Sequence, residues 1–167
     1  MSIVKLRAME PEDLDFLYNM ENDHEVWNVG NTNVPYSRYV LHDYIANATN
    51  DIYHDGQVRL IVENEEGKTV GMADVFDFNA QHRRAEISIV INQNYRQRGY
   101  AEAAITQIAE YSRRTLHLFQ LYAIVAENNN PSLRLFEKTG FKHAAKLEKW
   151  LFDGEKYENA IFFQRFL

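Results

Sequence analysis

The hydrophobic period of the chain changes twice between residues 82 and 126. HRRAEISIVI (His82–Ile91) alternates apolar and polar positions, which predicts a strand. AEAAITQIAEYSRRTL (Ala101–Leu116) then repeats apolar residues at the spacing of one helix face, and LFQLYAIVA (Leu118–Ala126) returns to a strand. This order of strand, long helix and strand predicts an α/β domain with a mixed sheet.

The segments on either side add further strands and short helices. Ile3–Met9 alternates and predicts a strand, and Pro11 with its acidic neighbours predicts a helix that runs to about Met20. Ser37 is the expected N-cap of a second helix. The remaining expected elements are an antiparallel meander over Gln57–Asn64, Thr69–Phe78 and His82–Ile91, a helix between Pro131 and Gly140, and two strands flanking the turn Asp153-Gly154.

Composition narrows the possible functions. A chain of 167 residues suits one domain, so we expect a single domain over residues 1–167. The net charge of −6 argues against nucleic acid as a partner and suits a cationic one. The lack of cysteine and of any apolar run long enough to span a membrane predicts a cytoplasmic protein. The six histidines show no metal-ligand spacing, so no metal is expected.

The corner NYRQRGYA (Asn94–Ala101) joins the predicted strand to the long helix. A glycine there lets the backbone approach a ligand closely, and the free N–H groups of a first helical turn attract phosphate oxygens. Arg96 and Arg98 add positive charge, and the small Ala101 keeps the first turn open. These features favour a phosphate site, with an ordinary surface turn as the alternative.

A second stretch, AENNNPSLRLFEKTGF (Ala126–Phe141), follows the next strand. Asn129 can present its amide to a peptide-like ligand that lies between the two strands. The alternative is a capped helix that places Leu133 and Phe136 in the core.

Together the two stretches resemble the GNAT N-acetyltransferases. Arg96-Gln97-Arg98-Gly99-Tyr100-Ala101 resembles the acetyl-CoA pyrophosphate loop of that superfamily, [QR]-x-x-G-x-[GA]. The spacing from Asn129 through Ser132 and Phe136 to Gly140-Phe141 resembles its later segment, N-x-x-[SA]-x-x-x-[YF]-x-x-x-G-F. Several segments look most like the bacterial spermidine/spermine N-acetyltransferases, and the ribosomal-protein alanine N-acetyltransferases share much of the pattern.

The resemblance implies a GNAT acyltransferase fold with a V-shaped splay between the two central strands. It implies that acetyl-CoA is the co-substrate, that its pantetheine arm pairs with the strand backbone, and that a backbone N–H near Val90 polarises the thioester carbonyl. The implied acetyl-CoA contacts are Ile89, Val90, Ile91, Arg96, Gln97, Arg98, Gly99, Tyr100, Ala101, Asn129, Ser132 and Phe136.

The reaction needs a proton acceptor, because an alkylamine with a pKa of roughly 10 is mostly protonated at neutral pH. Glu86, on the strand beside the cleft, is the candidate general base, acting through water. Its alternative roles are an ion pair with Arg83 or Arg84, or simple exposure to solvent. At Phe136 the superfamily places a tyrosine whose hydroxyl protonates the departing thiolate, and the phenylalanine puts that step in doubt.

The acceptor site is predicted from acidic and aromatic residues. Asp74 and Asp77, at an edge close to the cleft, are expected to hold a cationic amine. Because they are three apart, at most one faces the acceptor unless a bulge intervenes. An aromatic and acidic early segment also suits a polyamine, although its aromatic residues are equally suited to anchoring a loop. Its candidate residues are Glu21, Glu25, Trp27 and Tyr36.

The expected function is transfer of acetyl from acetyl-CoA to a primary amine, foremost a polyamine such as spermidine or spermine. The alternatives are acetylation of a protein N-terminus of the ribosomal-protein alanine type or of an antibiotic-like amine, and a CoA-binding domain with weak or no turnover. A homo-oligomer is compatible with the resemblance.

Overall fold

The computed structural model describes residues 2–23 and 34–167, which are organised by a mixed sheet of seven strands. The strands in chain order are β1 (Val4–Ala8), β2 (Val58–Asn64), β3 (Thr69–Asn79), β4 (Arg84–Ile91), β5 (Gln120–Ala126), β6 (Lys142–Phe152) and β7 (Tyr157–Phe166). Their spatial order is β1-β2-β3-β4-β5-β7-β6, and β4 and β5 are the parallel pair. The mixed sheet and the antiparallel meander of β2, β3 and β4 are confirmed.

The helices begin and end where local signals favour it. They are α1 (Leu14–Glu21), α2 (Arg38–Asn47), α3 (Ile52–Asp55), α4 (Tyr100–Arg114) and α5 (Asn130–Lys138). The Ser37 hydroxyl accepts a hydrogen bond from the Val40 N–H at 3.1 Å, which confirms the predicted N-cap of α2. Pro11 begins a 3-10 turn that leads into α1. The sequence analysis did not predict α3, because one helical turn is too short to show a period.

The sheet carries a hydrophobic core on each face. On one face α4 and α5 pack on alternate strand residues, including Ile87, Leu121 and Phe163. On the other face α1 and α2 cover Ile61 and Met72. We call these the α4/α5 face and the α1/α2 face. Because side chains alternate along a strand, the neighbours of core residues on one face must point to the other.

The two central strands separate, as expected for the GNAT fold. β4 and β5 pair only from Arg84 opposite Gln120 to Glu86 opposite Tyr122. Beyond this point β4 continues to Ile91 with β3 as its partner, and β5 continues with β7 as its partner. The resulting opening is the predicted V-shaped splay. No helix within the described ranges has the length and apolarity that a membrane crossing requires.

Candidate active site

The loop from β4 to α4 presents unbonded backbone amides at one end of the splay. Gly99 is the N-cap of α4 with φ +80°, and its carbonyl accepts the first helical hydrogen bond, from the Ala103 N–H at 3.0 Å. The N–H groups of Tyr100, Ala101 and Glu102, which come before Ala103 in the first turn, therefore have no helical acceptor and are available to an anion. A Cβ at Gly99 would meet only Ile3 Cδ1 at 3.5 Å. The backbone conformation, rather than crowding, is what favours glycine here.

The arginine side chains of this loop bind backbone carbonyls of the loop and of the adjoining end of β4. Arg96 Nε donates to the Ile91 carbonyl at 3.0 Å, and Arg98 Nη2 donates to the Asn94 carbonyl at 3.3 Å. The Arg98 guanidinium also lies 5.4 Å from the centre of the Tyr95 ring. Two further members of the predicted set differ in exposure, since Gln97 is exposed at φ +62° and Tyr100 is buried. Ala101 packs against the α4/α5 core.

Hydrogen bonds at both ends of β4 fix the direction of its backbone groups. The Arg83 carbonyl accepts from the Phe119 N–H on the β5 side at 2.7 Å, and the Asn92 N–H donates to the Val70 carbonyl on the β3 side at 2.9 Å. The N–H and C=O groups of successive residues point to opposite edges of a strand. The backbone groups of the odd-numbered residues of β4 therefore point to the splay, and those of the even-numbered residues point to β3. The backbone groups of Ile89 and Ile91 therefore point into the splay, whereas the Val90 N–H points away from it. The expected thioester donor near Val90 stays a prediction, and the direction of the backbone favours the N–H of Ile89 over that of Val90 itself.

The second motif forms a helix cap and a piece of core. The Asn129 side-chain oxygen accepts from the Ser132 N–H at 3.3 Å and caps α5. Phe136 is 3% exposed, edge-on to Phe141 at 5.1 Å and stacked on Phe163 at 6.0 Å between ring centres. The capped-helix alternative thus describes this segment well. Asn129 lies just beyond the end of β5, at the splay.

Glu86 lies where β4 and β5 separate. It is the last β4 residue that pairs with β5, and its neighbours Ala85 and Ile87 are buried in the α4/α5 core, so its side chain is on the α1/α2 face. Within the described part of the chain it has no ion pair with either Arg83 or Arg84. Burial, and secondarily the charge of Asp77, raise the pKa of Glu86 to about 7. A carboxylate with this pKa can accept a proton near neutral pH.

The other predicted acids of the acceptor site are divided between two places. Asp74 binds Arg59 through two hydrogen bonds, Nε to Oδ1 at 2.7 Å and Nη2 to Oδ2 at 2.9 Å, and Glu21 pairs with the same guanidinium. Asp77 is instead exposed at φ +47°, in the irregular step of β3 between Phe76 and Asn79. A bulge therefore separates the two aspartates, and Asp77 lies near Glu86. The edge position expected for them is wrong, because β3 lies between β2 and β4.

The early segment is only partly described. The Tyr36 N–H donates to the Asn22 side-chain oxygen at 2.8 Å, and its ring packs against the α1/α2 core, which supports a structural anchor. Two other candidates, Glu25 and Trp27, lie outside the described residues. In residues 2–23 and 34–167, no group of three or more histidine, aspartate or glutamate side chains can hold a metal ion.

Sequence reasoning missed an aromatic pair beside Glu86. The rings of Tyr122 and Phe162 stack with 5.3 Å between centres and 23° between planes. Burial, followed by the charge of Glu86, raises the pKa of Tyr122, so the phenol stays neutral at physiological pH. The only sequence signal was the apolar run LFQLYAIVA, which predicts a strand but gives neither the face of Tyr122 nor its neighbour in space.

The chain is similar in sequence and in fold to known acetyltransferases. The family described as "Acetyltransferase (GNAT) domain" matches residues 4–142. Spermidine N(1)-acetyltransferase of Escherichia coli (strain K12) is 31% identical over 162 residues, which are 95% of this chain and 83% of that enzyme. The crystal structure of spermidine N-acetyltransferase from Vibrio cholerae in complex with CoA and spermine is similar with a TM-score of 0.86 and 26% identity, covering 98% of this chain and 95% of that one. A dodecameric structure of the Vibrio cholerae enzyme has a TM-score of 0.81 and 26% identity, with 98% and 94% coverage. The chain belongs to the GNAT acetyltransferase family.

Proposed function

We propose that this protein transfers acetyl from acetyl-CoA to a primary amine of a polyamine such as spermidine or spermine. The observation that carries the proposal is Glu86, a half-buried carboxylate with a pKa of about 7 at the point where the central strands separate. The likeness to the Escherichia coli spermidine enzyme, and to the Vibrio cholerae enzyme in complex with CoA and spermine, supports a polyamine as the acceptor.

Acetyl-CoA fits the opposite face of the splay. The free amides of the first turn of α4 and the neighbouring Gly99 suit its pyrophosphate. The backbone groups of Ile89 on the splay side suit the amide groups of its pantetheine arm, since β5 no longer pairs with β4 there. Asn129 is the proposed side-chain contact at the other wall. When bound, acetyl-CoA supplies the acetyl group as a thioester, whose C–S bond breaks as the C–N bond of the acetamide forms.

The protein supplies the proton transfers and the orientation. Glu86 takes a proton from the ammonium group of the acceptor, through water, and the neutral amine becomes the nucleophile. The Ile89 N–H, which is next to Val90 and on the splay side of β4, is the proposed donor to the thioester oxygen. Phe136 has no hydroxyl and is packed in the core, so the thiolate leaves without a tyrosine acid. The second proton lost by the nitrogen as the amide forms passes through water and protonates the thiolate. A thiol of pKa roughly 8.5 is a tolerable leaving group under these conditions.

Release of free thiol tests the proposal. Purified protein is mixed with acetyl-CoA and, separately, with spermidine, spermine, diamines and peptides that begin with Ala or Ser. We expect thiol release with the polyamines and little with the peptides. Release with peptides alone would favour a protein N-terminal acetyltransferase. Measurable CoA binding without release for any amine would leave a CoA-binding domain without turnover.

Self-association is a second part of the proposal. One Vibrio cholerae relative is a dodecamer, which supports a homo-oligomer for this chain. Sedimentation velocity of the purified protein would detect it, and a single species at the monomer mass of 19.6 kDa would contradict it. Cytoplasmic localisation and the absence of a metal remain predictions of the sequence.

A further inference from the structure

The register of the sheet places an aromatic side chain beside the proposed base. Tyr122 is directly opposite Glu86 in the short parallel ladder of β4 and β5. Both neighbours of Tyr122, Leu121 and Ala123, belong to the α4/α5 core, so its ring lies on the α1/α2 face together with the Glu86 carboxylate. This is the face from which an amine would approach, since acetyl-CoA fits the opposite one.

A second aromatic ring holds Tyr122 in place. Phe162 of β7 stacks on one side of the Tyr122 ring, with 5.3 Å between centres. Both side chains are half-buried. The described helices of this face, α1 and α2, pack over Ile61 and Met72 on the far half of the sheet. The aromatic pair therefore borders the splay without a described helix above it.

The acidic groups near this pair are the ones that remain for a cationic ligand. Arg59 already binds both carboxylate oxygens of Asp74 and one of Glu21, so those two acids have fewer oxygens left for an amine than Asp77 and Glu86 have. Asp77 and Glu86 have no basic partner within hydrogen-bonding distance among residues 2–23 and 34–167. Two acids beside a neutral aromatic face are the chemistry that binds a chain of methylene groups carrying protonated amines.

We propose that Tyr122, stacked on Phe162, forms the wall of the acceptor site and holds the amine chain against its ring face, next to Glu86 and Asp77. This inference rests on the proposed function and names its recognition site. Tyr122 is a positioning residue, whose ring rather than its hydroxyl orients the acceptor. Neither Glu21 nor Asp74 contacts the amine in this arrangement.

The test is the affinity of the CoA-saturated protein for spermidine, measured by calorimetry and independent of turnover. Tyr122→Ala should raise the Kd of spermidine by about 5- to 10-fold, because a cation–π contact is lost. Tyr122→Leu keeps the apolar volume and should weaken binding to a similar extent, whereas Tyr122→Phe should stay within about 2-fold of wild type. In turnover assays Tyr122→Ala should raise the KM for spermidine by more than it lowers kcat.

The exposed pair Phe119, just before β5, and Phe166, at the end of β7, is stacked at 5.4 Å and supplies the matched control. Phe166→Ala should leave the Kd of spermidine within about 2-fold of wild type. An unchanged Kd in both Tyr122→Ala and Tyr122→Leu would overturn the inference, as would Tyr122→Phe losing activity as completely as Tyr122→Ala. Wild-type protein that binds no spermidine would also overturn it. Failure of the proposed function is recognised separately, by the absence of thiol release with every amine.

Discussion

At the scale of single residues, Glu86 and Asp77 form an acidic pair without a basic partner in the described chain. Burial disfavours the ionised form of Glu86, and the nearby charge of Asp77 disfavours it further. The same effects destabilise the fold slightly as the carboxyl loses its proton. Stability from this group is therefore present at low pH and is lost as the pH rises from the ordinary value towards about 7.

Glu86→Gln should lower kcat/KM for spermidine by about 10²-fold, because general base catalysis is removed. The wild-type rate should fall as the pH drops below about 7, and this limb should be absent from the variant. The check is a pH profile of thiol release, with Glu127→Gln as the control, since that carboxylate pairs with Lys146 on the surface. An unchanged profile in Glu86→Gln would assign the base to another group.

Asp77→Asn should shift the acidic limb of the same profile to lower pH. Removing the negative charge of Asp77 eases ionisation of Glu86, but burial is the larger cause, so the pKa should remain above its ordinary value. The shift is measured with a fixed, saturating concentration of acetyl-CoA. A limb that stays at the wild-type position would mean that Asp77 does not act on the catalytic proton.

At the scale of elements, the junction of β4 and α4 depends on one backbone conformation. Gly99 has φ +80° where the chain leaves the loop and enters the helix. An L-residue in this region costs about 1–2 kcal/mol, and its Cβ would also project beside the free amides of the first turn. Strain and obstruction can be separated, because another glycine with positive φ, Gly154, lies in the turn between β6 and β7 and outside the loop from β4 to α4.

Gly99→Ala should weaken CoA binding by about 10-fold, because the added Cβ keeps the pyrophosphate from the backbone. Gly154→Ala is the control, since Gly154 has φ +103° in the turn between β6 and β7 and open space around it. Both variants should lose roughly 1–2 kcal/mol of unfolding free energy. Only Gly99→Ala should change the CoA Kd in calorimetry. Equal CoA affinity in the two variants would contradict the assigned pyrophosphate site.

At the scale of the whole molecule, Arg59 connects the helical layer of the α1/α2 face to the sheet. It extends from β2 to Asp74 on β3 and to Glu21 at the end of α1, and its side chain is only 18% exposed. Breaking a buried pair leaves a charge without compensation, which costs more than the pair contributes. Two of the acids that the sequence suggested for amine binding, Glu21 and Asp74, therefore join the two layers.

Arg59→Met should lower the unfolding free energy by about 3 kcal/mol, because Glu21 and Asp74 then lose their common counter-charge. Arg38→Met is the matched control, since Arg38 pairs with the exposed Asp15, and it should cost less than about 1 kcal/mol. Urea unfolding followed by circular dichroism measures both. A loss for Arg59→Met as small as that for Arg38→Met would show that the triad does not hold the layers together.

The sequence predicted most elements of the fold because their signals are local. Alternation, the Ser37 cap and the Pro11 start all depend on neighbours in the chain, and α3 was missed because it is a single turn. The corner around Gly99 was likewise readable, since its glycine, its small Ala101 and the following helix are adjacent. The family thus follows from the sequence alone, and the assignment of acetyl-CoA to this corner stays a prediction.

Only the tertiary structure decided which groups meet at the proposed acceptor site. Arg59 is distant in sequence from Glu21, and nothing local predicts that it binds both Glu21 and Asp74. The direction of the Val90 N–H depends on which strand lies beside it. The position of Glu86 opposite Tyr122 depends on the register of a parallel pair joined by a helix. Such contacts are set by how the layers pack, because pairing across a sheet has no signature in either strand taken separately.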